Sequence, residues 1–184
     1  MEAGRSMRRE LYVNKAKAEL GSLAERGVVT SGNAFSSVLF VKGAPNADEL
    51  AGARPLSGAD GKALRAALTA LGYAPEDWCA MLAVSRDGAA LGADLLREAV
   101  AAYDPATLIA CDEAAAQALR EAYAEQLSRL SDFDEALLAP GKVSRVLGMR
   151  VMNLGGFEAA LADAHEKQVM WARLKRLPPL GAPY

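Results

Sequence analysis

The chain has 184 residues, a length that suits one α/β domain with a real core. Hydrophobic residues make up 52% and charged residues 24%, which excludes wholesale disorder, and no apolar run reaches the ~18–20 residues of a membrane-spanning helix. Two cysteines and one histidine exclude a disulfide scaffold, a four-cysteine zinc site and a fully cysteine-ligated iron–sulfur cluster, and they leave little histidine-based metal or triad chemistry. The basic N-terminus has no apolar segment behind it, so no signal peptide is readable. The expectation is a cytoplasmic protein with no metal, no cofactor and no membrane contact.

Net charge is −2, unevenly spread. Residues 1–43 carry seven basic and four acidic side chains, residues 44–139 seven and 16, and residues 140–184 seven and three. The two ends form one basic face if they meet in space; otherwise they are ordinary solvated surfaces. With a pI near 5.5, any DNA contact has to be local and salt-sensitive.

In chain order, residues 1–14 read as a flexible extension that overlaps a helix over Met7–Glu25. Gly27–Asn33 reads as a turn or loop. Ser37–Lys42 is a short apolar, β-branched run before Gly43 and Pro45, and reads as a buried strand. Gly58–Leu71 has leucines at 64, 68 and 71, one helical stripe. Trp78–Val84 is a second strand, Ala89–Tyr103 a helix, and Thr107–Cys111 a third strand. Glu113–Leu130 is an alanine-rich helix, and residues 131–144 a loop or short helix. Val146–Leu154 reads as a fourth strand broken at Gly148, followed by a helix over His165–Leu177 and a tail over 178–184. Strands alternating with helices predict a mainly parallel, four-stranded sheet covered on both faces in one domain over 1–184. Ligands of such sheets bind beyond the carboxyl ends of the strands, after Lys42, Val84, Cys111 and Asn153.

The segment Lys42–Gly61 carries Ala44, Pro45, Glu49, Arg54, Pro55, Gly58 and Gly61 at fixed spacing. It resembles the G-E-A-P-G-x-x-E-D-x-x-G-R-P-F-x-G-x-A-G pattern of the iron–sulfur type of bacterial and archaeal uracil-DNA glycosylases. Tyr103–Leu119 resembles that family's third strand and following helix, and Lys167–Trp171 with Leu174 resembles its closing helix. The resemblance implies an α/β/α sandwich of the uracil-DNA glycosylase kind. It also implies where a base pocket would lie: Gly43, Ala44, Pro45, Asn46, Leu56, Asn153, Gly155 and Gly156.

The residues that would do the chemistry differ. The family's water-positioning glutamate falls on Gly43 and its stacking phenylalanine on Leu56. Its H-P-[ST] motif falls near Gly155-Gly156-Phe157, and its base-reading asparagine near Leu82 or Ala83. The cluster cysteines are absent, since Cys79 and Cys111 lie in predicted strands, and the lone His165 sits on the last helix. Asn46 and Asp48 are the remaining catalytic candidates, with Glu49 beside them; each equally suits a turn or a helix cap. Lys142, Arg145 and Arg150 are candidates for DNA phosphates, or a solvated basic loop. Asn153 reads as a base or phosphate contact, or as a strand-end residue satisfied by backbone.

Two functions follow as expectations. One is a catalytically degenerate glycosylase-like protein that binds DNA, a nucleobase, a nucleotide or another small ligand, or serves as an interaction module. The other is an active repair glycosylase with a rearranged site.

Overall fold

The computed structural model describes residues 2–181; residue 1 and residues 182–184 of the expected extension and tail lie outside the described residues. The chain opens with helix α1 (Glu2–Glu25), which takes in the rest of the expected flexible extension. Strand β1 (Thr30–Gly32) follows, where the sequence reads only as a loop. Then come β2 (Val38–Lys42), α2 (Ala47–Leu50), α3 (Ala59–Ala70), β3 (Cys79–Leu82), α4 (Ala93–Tyr103) and β4 (Thr107–Ala110). The second half contains α5 (Glu113–Ala122), α6 (Ala124–Leu127), α7 (Phe133–Ala136), β5 (Val143–Val146), β6 (Met149–Asn153), α8 (Phe157–Ala160) and α9 (Ala164–Leu174).

The fold is α/β. Its sheet has six strands in the order β1-β3-β2-β4-β6-β5, which corrects the expected four. The four expected strands are neighbours, and β3, β2, β4 and β6 run parallel. The two unforeseen strands lie at the edges and run antiparallel, which makes the sheet mixed. β1 escapes a sequence reading because Thr-Ser-Gly has no apolar alternation. β5 begins inside the segment that reads as a loop or short helix over 131–144, and the expected fourth strand takes in only its last residue, Val146. Gly148 does not interrupt one strand; with Leu147 it forms a two-residue turn between two strands. Both have positive φ, 48° and 85°, the backbone that suits the twist of a tight hairpin.

All five residues of β2 are buried, and they alternate between two cores. Leu39 and Val41 face a core shared with Leu96, Val100, Ala115, Ala116 and Leu119 of α4 and α5. Val38 and Phe40 face a core shared with Leu64 and Leu68 of α3, Phe157 of α8 and Met170 and Leu174 of α9. Helices therefore cover both faces. By the same period of two, Lys42 falls on the Phe40 side and Gly43 on the α5 side.

Arg150 lies inside this framework. It is 5% exposed, and its guanidinium donates to Thr107 Oγ1, Tyr73 Oη and the Pro178 carbonyl at 2.8–3.1 Å. The Tyr73 hydroxyl donates in turn to the Leu177 carbonyl at 2.7 Å. These bonds tie the segment after α9 to the sheet.

Gly61 is buried in the first turn of α3, where a Cβ would overlap the Leu56 carbonyl. The overlap is with backbone and cannot be relieved by a rotamer change. Gly61→Ala is therefore expected to cost at least about 3 kcal/mol of stability, read as a lower urea midpoint.

Candidate functional site

A cavity of about 350 Å³ opens at the carboxyl ends of β2, β4 and β6. Leu56, Leu64 and Phe157 supply apolar wall; Lys42, Asp60, Asp112 and Glu158 supply its charged lining. The volume is at the small end of ligand pockets. A larger depression of about 570 Å³ between α1 and α4 has only exposed carboxylates, Glu19 and Glu98, and no buried ionisable group.

Lys42 organises the cavity. Placing it on the Phe40 side of the sheet carries its side chain inward, and it is 2% exposed. Its Nζ lies 2.8 Å from Glu49 Oε2, 2.8 Å from Asp60 Oδ2 and 2.7 Å from Glu158 Oε2. An ammonium has three hydrogens, and three carboxylates take them. Burial by itself pulls the Lys42 pKa down. The bonds to Asp60, Glu158 and Glu49 outweigh it and hold the group above its ordinary 10.5. Lys42 is thus a fixed cation and not an amine nucleophile.

Each carboxylate arrives from a different local element. Asp60 stands in the first turn of α3, with Oδ1 accepting from the Gly61 N–H. Glu49 closes a capping box on α2: Asn46 caps the Glu49 N–H, and Glu49 Oε2 accepts from the Asn46 N–H at 2.9 Å. Its other oxygen accepts from the Leu56 N–H at 2.9 Å, which pins Leu56 at a φ of 53°. Glu158 reaches in from α8 and is 43% exposed, with Oε1 accepting from Asn46 Nδ2 at 2.9 Å.

Beyond the end of β4, Asp112 borders the cavity and caps α5. It accepts from the Gly43, Ala44 and Ala115 backbone N–H groups at 2.8–3.1 Å. Gly43 is pressed so closely onto α5 that a Cβ there would overlap the Ala115 nitrogen.

The sequence-predicted residues divide accordingly. Ala44, Leu56 and Gly156 line the cavity. Asn46 touches its edge through Glu158 but is spent on capping α2. Asp48 is exposed on α2 and lies outside the lining. Pro45 borders a separate cleft with Arg54 and Leu82. Gly155 packs against Pro140 and Arg173, away from the lining.

Asn153 is fully buried and points its amide at protein. Nδ2 donates to Glu113 and to the Leu138 carbonyl, and Oδ1 accepts from the Gly155 N–H. That internal satisfaction removes it as a base or phosphate contact.

The basic trio does not gather into one DNA-facing patch. Arg150 is internal, as described; Lys142 pairs with Asp132 at 3.2 Å, and Arg145 alone is exposed without an ion pair among the described residues. His165 is exposed on α9. Cys111 lines the cavity with its thiol pushed well up, first by burial and then by the charges of Asp112 and Asp60. Burial pushes Cys79 up to about 12, so both thiols are held toward the protonated form at neutral pH.

Lys42, Asp60, Asp112 and Glu158 are the charged members that sequence reading missed. The usable signal was a lysine at a buried parity position closing an apolar strand, which requires partners. No protein-family model matches this chain, and no curated protein matches it.

Replacing Lys42 with methionine would leave Glu49 and Asp60 buried without their cation. An expected loss of about 3–5 kcal/mol at pH 7 follows, measured by urea unfolding. The sign with pH is fixed by the raised folded-state value. The stabilisation by Lys42 is complete below its unfolded value of 10.5 and is lost as pH rises through the folded one. The gap between the native protein and Lys42→Met should stay level through neutral pH and narrow only above about 10.5.

Proposed function

We propose that this protein is a catalytically degenerate relative of the iron–sulfur type of uracil-DNA glycosylases, with their three-layer α/β/α arrangement. In this reading its pocket holds a nucleobase or similar small ligand without hydrolysing a glycosidic bond. The observation that carries the reading is the end of β2. The position that the resemblance assigns to a water-positioning glutamate is Gly43, where no side chain fits against α5. The neighbouring Lys42 fills the pocket side with a paired ammonium.

The remaining lining supports the same reading. Hydrolysis needs a carboxylate free to orient water and a donor that meets charge on the leaving base. Asp60 and Glu158 are ion-paired with Lys42 and Asp112 is held by three backbone N–H groups, so none is an unpaired base, although Glu158 at the rim can still accept a hydrogen bond. Lys42 is the one strong side-chain donor in the lining, and its hydrogens are taken. A departing uracil anion would also meet three lining carboxylates against one cation. Leu56 offers contact to a base but no aromatic face.

The test is a base-excision assay on single- and double-stranded DNA containing uracil, with abasic sites counted against an active glycosylase. No product above background is expected, and Gly43→Glu should fail to create activity because it disrupts the β2–α5 contact. Product formation that is lost on Asp60→Asn or Asn46→Ala would overturn the reading and identify the working group.

A further inference from the structure

We infer that the pocket selects its ligand by N–H donors: a planar amidinium or amino-substituted heterocycle, with its donor edge toward Glu158. This rests on the reading above that the cavity is a ligand site.

Three features of the lining lead there. Its formal charge is negative, with one ammonium against the carboxylates of Asp60, Asp112 and Glu158, and Glu49 stands behind Lys42. Its side-chain donors are exhausted, because each ammonium hydrogen already has a carboxylate. Its acceptors are not exhausted. Glu158, 43% exposed, has Oε1 holding Asn46 and Oε2 holding Lys42. A carboxylate oxygen can accept twice, so each retains capacity.

A ligand carbonyl or phosphate would place acceptor against acceptor and anion against anion. A donor edge on a cation meets charge-assisted acceptors in a partly enclosed site, where such bonds are strongest. Leu56, Leu64 and Phe157 provide apolar contact for ring faces, and about 350 Å³ accommodates a single substituted ring.

The experiment is calorimetric titration of the full chain with benzamidine, cytosine, uracil and inorganic phosphate, alongside backbone amide spectra that follow Ala44 and Gly156. Benzamidine is expected to bind at least about tenfold more tightly than uracil, with no binding of phosphate. Cytosine binding alongside benzamidine supports the inference and points to an amino-substituted nucleobase. Benzamidine binding alone supports it and points to a cation of another kind.

Glu158→Ala, at a half-exposed position, should weaken benzamidine about tenfold and strengthen uracil, because it removes an acceptor and frees one Lys42 hydrogen. Uracil or phosphate binding as tightly as benzamidine overturns donor selection while leaving the pocket reading in place. Benzamidine affinity unchanged by Glu158→Ala also overturns it. If no probe gives heat or shifts Ala44 and Gly156, the pocket reading itself falls, and this inference with it.

Discussion

A lysine ammonium cannot be taken out of water at the end of a central strand unless other charges meet it there. Lys42 is met three times, by Glu49 from α2, Asp60 from α3 and Glu158 from α8. Those contacts do more than neutralise a buried charge. Through Glu49 they set the start of α2 and the backbone of Leu56. Through Asp60 they fix the first turn of α3 over the strand ends, and through Glu158 they draw α8 to the pocket rim. The loop from Lys42 to Gly61 is thus shaped by one cation.

The other side of β2 has an opposite requirement. Gly43 lies against the N-terminus of α5, where the residues it meets, Ala114 and Ala115, are small. Close packing there leaves no room for a functional side chain, and Asp112 uses the proximity to bind backbone from both elements. The end of β2 therefore splits its two residues between two structural tasks: ion pairing on the α3 side and tight packing on the α5 side. Neither leaves a free catalytic group, although both help to shape a cavity.

Charge inside that cavity weighs against two of the partners considered from sequence. Phosphates, whether in DNA or in a nucleotide, would approach a net-negative lining. The residues expected to offset this by holding a DNA backbone are divided, with Arg150 committed to Thr107, Tyr73 and Pro178 inside the fold. The proposed ligand, a donor-bearing base or amidinium without a phosphate, is consistent with these constraints.

The sequence alone determined the elements whose signals are local. Short apolar runs marked β2, β3, β4 and β6, and leucines at three- and four-residue spacing marked α3. The Ala-Pro and Gly-x-x-Gly spacings marked the loop that borders the pocket. Elements that depend on a neighbour were not legible. β1 is three residues of Thr-Ser-Gly that become a strand only by pairing with β3. β5 is separated from β6 by a turn whose conformation, not whose composition, defines it. The charged site was decided by tertiary structure for the same reason. Lys42, Asp60 and Glu158 are separated in sequence by up to 116 positions; strand parity marks Lys42 as needing partners, but nothing local distinguishes Asp60 and Glu158 from surface charges. Only the crossing of β2, α3 and α8 brings both carboxylates within 2.8 Å of the Lys42 ammonium, and with Glu49 they make three ordinary carboxylates and a buried lysine into one structural unit.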